Sequence, residues 1–137
     1  MDIKTYVSSH LVKSEDLNHH GTLFAGRQAE WFVESGFIAA AGLLPPKNIV
    51  CLKIHGMTFS RPVHLGEIAT YTSKIVFTGK SRLVAHICLV AADQEVVNGF
   101  ITFINVDQDV HPMPHGVNIV PTTPEDIALS EEAKNLR

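Results

Sequence analysis

The sequence has few charged residues and few cysteines. Charged residues make up 18% of the 137 residues, and 11 Lys and Arg against 14 Asp and Glu leave a net charge of −3. This balance argues against a protein that binds nucleic acid through bulk positive charge. The two cysteines, Cys51 and Cys88, lie in apolar runs and form neither a disulfide framework nor a metal-ligand spacing. We expect both to be buried, reduced thiols.

The sequence also lacks a long apolar run that is free of charge. The longest apolar stretch, from Leu23 to Leu44, carries Arg27, Glu30 and Glu34 in its first half. Three charges make a membrane-spanning helix costly, so we expect a buried helix and no membrane contact. The first residues contain no apolar region typical of a signal peptide, which favours a cytoplasmic protein.

The eight histidines form no His-x-x-x-His pair and no cluster with cysteine, so we expect no metal site. Hydrophobic residues make up 45% of the chain, which is enough for a real core. There is no internal repeat and no low-complexity linker. We therefore expect a single domain over residues 1–137, with residues 107–137 as its C-terminal tail.

The order of periodic segments predicts an α+β fold. One strand and one long helix come first, four strands follow, and Thr123 caps a short C-terminal helix. The β-branched and aromatic strands are separated by turn signals, which favours an antiparallel meander. The predicted segments are the strand Ile3–Val12, the helix Thr22–Leu44 and the strands Ile49–Phe59, Ile68–Phe77, Leu83–Ala92 and Val96–Val106.

The long helix indicates how the chain assembles. Thr22 is a candidate N-cap, and Pro45 and Pro46 cannot continue the helix. From Phe37 onward the helix is apolar on every side, so it must be enclosed. One sheet covers one side only, which predicts at least a dimer.

In the strand after the helix, alternation places Val50, Leu52 and Ile54 on one face of the sheet.

A polar loop, from Asp16 to Gly21, lies directly before the helix. The first backbone N–H groups of a helix are unpaired and carry partial positive charge, and Gly26 leaves one of them open. Such a group can polarise a carbonyl oxygen, as an oxyanion hole does.

Glu34 is the candidate general base. It forms a like-charge pair with Glu30 at i, i+4 and precedes the apolar half of the helix, so we expect it to be partly desolvated. An acidic, solvated helix face balanced by Arg27 is an equally good interpretation of the same residues.

Four motifs resemble one family. The residues Asp16, Asn18, Gly21, Phe24 and Gly26 form an Asp-x-Asn-x-x-Gly-x-x-Phe-x-Gly pattern. Later motifs are the helix stretch Ala29–Glu34, Phe59–Glu67, with an Arg-Pro-Val turn, and Gly79–Arg82. In this order they resemble hotdog-fold acyl-CoA thioesterases of the YciA, brain acyl-CoA hydrolase and 4-hydroxybenzoyl-CoA thioesterase kinds.

The resemblance implies a hotdog fold, with five antiparallel strands wrapped around the long helix. It implies a homodimer joined edge to edge, which in this family often assembles into tetramers or hexamers. It also implies hydrolysis of an acyl-CoA to the free acid and coenzyme A. That reaction needs no metal or other cofactor, because CoA is part of the substrate.

The resemblance also implies roles for single residues. Asn18 would position the water or the thioester, the N–H of Gly26 would polarise the carbonyl, and Glu34 would act as general base or nucleophile. In the YciA type the acid would fall at Val33, whereas other hotdogs place it one residue later, at Glu34. His20 would belong to the substrate pocket.

CoA phosphates need cations at the pocket mouth. Arg61, Lys80 and Arg82, with the hydroxyl of Ser81, are the candidates. Ordinary solvated charge at the tip of a hairpin explains any one of them equally well.

Two other functions remain open. A hotdog dehydratase for 3-hydroxyacyl thioesters needs a histidine and an acid, and His20 and Glu34 have the spacing of such enzymes. The chain lacks the Phe-Pro-Gly sequence that follows their histidine. A non-catalytic acyl-CoA binding protein is the other alternative.

Overall fold

The computed structural model describes all 137 residues, and its elements follow the predicted order. The fold is α+β, with a five-stranded antiparallel sheet and two helices, as predicted. The helices are α1 (Ala25–Ala41) and α2 (Pro124–Lys134), and the strands are β1 (Tyr6–Leu11), β2 (Ile49–Ile54), β3 (Ile68–Thr78), β4 (Arg82–Ala91) and β5 (Gln94–Asn105).

The strands lie in the order β1-β3-β4-β5-β2, so β1 and β2 form the two edges. We call the face that packs against α1 the inner face. Alternate strand residues point to it, and Tyr71 on β3 donates a hydrogen bond of 3.2 Å to the backbone oxygen of Gln28 on α1. The core between α1 and this face also contains Trp31 and Phe32.

Helix α1 packs closely against the sheet at Gly36. A Cβ atom placed on Gly36 would lie 3.1 Å from Cδ1 of Ile87 and 3.4 Å from Cδ1 of Ile101. The absence of a side chain therefore lets the helix settle onto the middle of β4 and β5.

We expect Gly36→Leu to destabilise the protein by about 1–3 kcal/mol, because the added side chain forces the packed core apart. Urea denaturation followed by circular dichroism measures the loss. The control is Ile38→Leu, since Ile38 is on the exposed side of the same helix. An unchanged urea midpoint in Gly36→Leu would show that α1 and the sheet leave room for a side chain at Gly36.

The outer face of the sheet is partly covered by α2. Ala133 of this helix is fully buried in a second core with Val76, Val84 and Phe100. As predicted, Thr123 caps the helix, and its hydroxyl accepts a hydrogen bond of 3.1 Å from the N–H of Asp126.

Helix α1 is shorter than predicted at both ends. It begins at Ala25, with Phe24 as a cap that makes no side-chain hydrogen bond, and it ends at Ala41. Thr22 is not the cap, because its side chain is hydrogen-bonded to Asn18 inside the preceding loop. None of the helices has the length and apolar character needed to cross a membrane.

Strand β2 differs most from its prediction. It ends at Ile54 rather than Phe59, and the pairing with β5 shifts between Cys51 and Lys53. The shift inserts one residue, so Val50 and Ile54 point to opposite faces instead of sharing one. The expectation of a buried thiol at Cys51 is wrong, because its residue is exposed; Cys88 is half-buried, and both cysteines are free.

Candidate functional site

The loop before α1 is organised by the side chain of Asn18. Its Oδ1 accepts hydrogen bonds from the backbone N–H groups of His20 at 2.8 Å and Thr22 at 3.2 Å. The Asn18 backbone N–H donates to the Thr22 oxygen at 2.8 Å, which closes a tight turn around Gly21. The predicted site residue Asn18 therefore shapes the loop, and His20 is exposed at its tip.

Asp16 ties this loop to the first turn of α1. Its side chain is only 5% exposed and lies 3.2 Å from Nε of Arg27. The other carboxylate oxygen accepts the backbone N–H of Lys13 at 2.9 Å, and the Asp16 backbone oxygen accepts the N–H of Phe24. The loop and the helix start are thus held in one arrangement by a nearly buried carboxylate.

We expect Asp16→Ala to lower the free energy of unfolding by about 1–3 kcal/mol, because it removes a nearly buried acceptor and leaves the part-buried N–H of Lys13 and the guanidinium of Arg27 without their partner. Glu30→Ala is the control: Glu30 also pairs with Arg27, at 3.5 Å, but its side chain is 61% exposed. An exposed pair of this kind contributes little. Equal losses in the two variants, measured by urea denaturation, would contradict the anchoring role of Asp16.

The start of α1 offers two free donors. The N–H groups of Ala25 and Gly26 make no hydrogen bond within the chain, whereas those of Arg27 and Gln28 both donate to the oxygen of Phe24. The ring of Phe24, which is 54% exposed, lies over Gly26, where an added Cβ would meet the ring at 2.5 Å. The N–H of Gly26 therefore has no partner within the chain, and the ring of Phe24 covers the Cα of this residue.

A surface pocket of about 310 Å³ surrounds this helix start. Gly26 and the ring of Phe24 form part of its wall, together with Glu15, Asp16 and Glu30. Phe24 belongs to the loop motif, whereas Glu30 is a lining residue that the motifs did not include. A period-3.6 projection from Gly26 would have placed Glu30 nearby.

Glu34 does not line this pocket. It lies eight residues after Gly26, about 12 Å further along the axis. Its residue is exposed, so the expected partial desolvation is wrong for the single chain. Val33 beside it is half-buried, and Phe37, one turn on from Val33, packs edge-on against Phe103 of β5. Val33 therefore points toward the β5–β2 side of the sheet, and Glu34 points to solvent.

The predicted phosphate-binding residues fall into two groups. Arg61 donates a hydrogen bond of 2.8 Å to the oxygen of Ala91, at the end of β4. The start of α1 is at this same end, because Leu23 donates to the oxygen of Val63. Lys80, Ser81 and Arg82 lie at the other end of β4, about 30 Å away. A single chain does not bring the two groups together.

The side chains of the Lys80–Arg82 hairpin differ in how exposed they are and in the contacts they make. Arg82 is half-buried and lies over the ring of Phe77, with its guanidinium carbon 5.0 Å from the ring centre. His115 of the tail packs against the hairpin, and its Nε2 lies 3.0 Å from the backbone oxygen of Arg82. Lys80 is exposed and forms no ion pair, so it is the free cation of this group.

The only group of three potential metal ligands begins two residues after Asn105, whose N–H donates a hydrogen bond of 2.7 Å to the oxygen of Ser81. Asp107, Asp109 and His111 share an exposed turn in the tail. One oxygen of Asp107 already accepts the N–H groups of Asp109 and His111, and these bonds, the one from His111 above all, lower the pKa of Asp107. These backbone hydrogen bonds of the turn account for the closeness of the three side chains.

The region that contains the end of the loop, the two free N–H donors and most of the sheet is similar to a known protein family. Residues 20–98 match the family model of the thioesterase superfamily. The chain belongs to the thioesterase superfamily. This match confirms the predicted resemblance, and it spans the helix α1 and most of the sheet. A comparison with curated proteins found no match.

Solved structures of the superfamily share the fold. An acyl-CoA hydrolase from Bacillus cereus has a TM-score of 0.87 at 22% identity, covering 95% of this chain and 82% of that one. An acyl-CoA hydrolase from Staphylococcus aureus, solved with butyryl coenzyme A and coenzyme A, has a TM-score of 0.83 at 20% identity, covering 95% and 82%. The hexameric thioesterase y2039 from Yersinia pestis has a TM-score of 0.73 at 22% identity, covering 81% and 94%.

Proposed function

We propose that this protein hydrolyses acyl-CoA thioesters and that the reaction takes place at the start of α1. The observation that carries the proposal is the pair of unpaired N–H groups at Ala25 and Gly26 in a member of the thioesterase superfamily. A thioester carbonyl gains negative charge in the transition state, and donors fixed on a helix stabilise that charge without reorganisation.

The chemical steps balance with water as the only co-reactant. Glu34 takes a proton from a water molecule, whose oxygen attacks the carbonyl carbon, and the N–H of Gly26 holds the resulting oxyanion. The carbon–sulfur bond then breaks, and the CoA thiolate takes up a proton, which leaves the free acid and CoA. Direct attack by Glu34 to form an anhydride is the nucleophilic version of the same step. Asn18 holds the loop in which the water is bound.

The position of the acid distinguishes this chain from one of its structural relatives. In the S. aureus hydrolase, the asparagine and the aspartate that were replaced by alanine lie 15 residues apart. The residue 15 positions after Asn18 in this chain is Val33, whose side chain carries no carboxylate. Glu34 follows directly and is the next carboxylate on the helix. It therefore supplies the carboxylate.

The working unit is a homodimer joined through β2. This edge strand exposes Val50, Leu52 and Ile54, which are 39%, 64% and 42% exposed. Backbone donors and acceptors on an edge strand are a template for pairing with a second chain. The hexameric neighbours support assembly beyond the dimer, to a tetramer or a hexamer.

The dimer brings the two cation groups together. Strand β2 starts beside the end of β5, next to Arg82, because Ile49 pairs with Asn105 and Arg82 with Ile104. When two β2 strands pair antiparallel, the Lys80–Arg82 hairpin of the partner comes beside Ile54 of this chain, which is nearer to the Gly26 end than this chain's own hairpin is. The partner's hairpin then binds the CoA phosphates, and burial of Glu34 against the second chain supplies the missing desolvation.

The test is the release of free CoA thiol by the purified protein from a panel of short, long and aryl acyl-CoAs. We expect thiol release with at least one member, accompanied by an equal amount of free acid. Release of no thiol from any acyl-CoA would overturn the proposal. Loss of water from a 3-hydroxyacyl-CoA without thiol release would instead identify a dehydratase.

A further inference from the structure

A second pocket lies at the opposite end of α1 from the candidate active site. Its volume is about 320 Å³, and seven of its ten lining residues are hydrophobic. Ala39 and Leu43 come from the end of α1, Ile75 from β3 and Ile119 from the tail. Since α1 has 17 residues, its two ends are about 25 Å apart, so this pocket is separate from the one around Gly26.

The roof of the pocket is the segment Met1–Lys4, which we call the N-terminal strap. It precedes β1, and the N–H of Val120 in the tail donates a hydrogen bond of 2.8 Å to the backbone oxygen of Met1. Ile3 of the strap points its side chain into the wall and is half-buried. The strap therefore closes an apolar space over α1 without adding a strand to the sheet.

The polar groups at the rim define what the pocket can hold. The charged groups at the rim are Asp2, Lys4 and the N-terminal ammonium of Met1, which donates a hydrogen bond of 2.9 Å to the backbone oxygen of Asn118. Neither Asp2 nor Lys4 forms an ion pair within the chain. The hydroxyl of Tyr6 makes no hydrogen bond and lies against Gly42, where it leaves no room for a Cβ. The end of α1 carries partial negative charge, which disfavours an anion beside it.

We infer that this pocket is a binding site for an uncharged, hydrocarbon-rich small molecule with one polar group. The hydrocarbon part packs against Ala39, Leu43, Ile75 and Ile119, and the polar group bonds to the Tyr6 hydroxyl. The volume is at the lower end of the range for small-molecule sites, which favours a medium-length chain over a whole lipid. The inference goes beyond the proposed function and does not depend on it.

Titration of the full chain with octan-1-ol and with octanoate at pH 7, followed by methyl NMR, tests the inference. The two probes have the same chain length and differ in charge. We expect octan-1-ol to shift the methyl signals of Ile3, Leu43, Ile75 and Ile119, and octanoate to bind at least tenfold more weakly. Equal or tighter binding of octanoate, or shifts confined to the start of α1, would overturn it.

Ile3→Trp fills the pocket from its roof, and we expect it to weaken octan-1-ol binding at least tenfold. The matched control is Val7→Trp, because Val7 on β1 is 64% exposed and does not line the pocket. Undiminished binding in Ile3→Trp would overturn the inference even if wild-type binding is seen. Neither substitution lies in the core, so we expect both variants to fold. A methyl NMR spectrum like that of the wild type, recorded before titration, checks this for each variant.

Discussion

Gly26→Pro is expected to lower kcat for thioester hydrolysis by about 10²–10³-fold, the effect of removing one oxyanion donor. Proline removes the N–H and keeps the helix, but its Cβ also pushes aside the ring of Phe24, which would lie 2.5 Å away. Gly26→Ala adds the same Cβ and keeps the N–H, so it controls for the displaced ring. Gly26 is the second residue of α1, and its N–H has no partner within the chain. Proline is tolerated in the first turn of a helix for that reason. Thiol release measured at saturating acyl-CoA gives kcat directly.

Ala25→Pro is the matched control for this variant. Ala25 is the first residue of α1, and its N–H is equally free, so proline removes a neighbouring donor at similar cost to the helix. We expect Ala25→Pro to keep most of the activity. Equal loss in both variants, with unchanged circular dichroism, would show that neither single N–H holds the oxyanion.

Glu34→Gln is expected to lower kcat by about 10²–10⁴-fold, the usual effect of losing a general base. Glutamine keeps the size and polarity of the side chain and cannot accept the proton of water. Because Glu34 is exposed in the single chain, the fold should be unaffected. The pH profile of kcat/KM should also lose its acidic limb, which a merely structural residue would not change.

Glu30→Gln is the control for Glu34→Gln. Glu30 lines the pocket around Gly26, whereas Glu34 does not, so the two residues compete for the role of base. We expect Glu30→Gln to change kcat less than about fivefold, the scale of an exposed ion pair of up to about 1 kcal/mol. The reverse result, with activity lost in Glu30→Gln and kept in Glu34→Gln, would move the base one turn toward the N-terminus.

The fold could be predicted because its local signals agree with one another. Alternating apolar residues, turn residues such as Gly79 and the Thr123 cap all indicate the elements that the structure contains. The errors lie where one specific side-chain or strand contact decides between two local patterns. Thr22 is a residue type that often caps helices. Its hydroxyl is hydrogen-bonded to the side chain of Asn18 instead, and the helix begins three residues later, at Ala25.

Strand β2 shows the same limit. The alternation of Val50, Leu52 and Ile54 is real in the sequence, yet a bulge changes which face each residue uses. No local sequence pattern predicts this bulge, because it depends on the register in which β5 pairs with β2.

The candidate site was predictable as a set of residue types and not as a geometry. The open N–H of Gly26 follows from its place at a helix start, and the structure contains it. The bond between Asp16 and Arg27 joins a loop to a helix across eleven residues, which no periodic spacing indicates. The separation of Arg61 from Lys80 depends on the path of β4, so it could be seen only after the strands were placed.

The most direct test of the central claim is the amide signal of Gly26 when an acyl-CoA ketone analogue binds, in which a methylene group replaces the thioester sulfur. The analogue cannot be hydrolysed, and its carbonyl occupies the place of the substrate carbonyl. We predict a downfield shift of the Gly26 amide proton in the nitrogen-15 spectrum, because a new hydrogen bond forms there, and no such shift with coenzyme A alone. An unchanged Gly26 signal with the analogue bound would contradict the claim that this N–H holds the carbonyl.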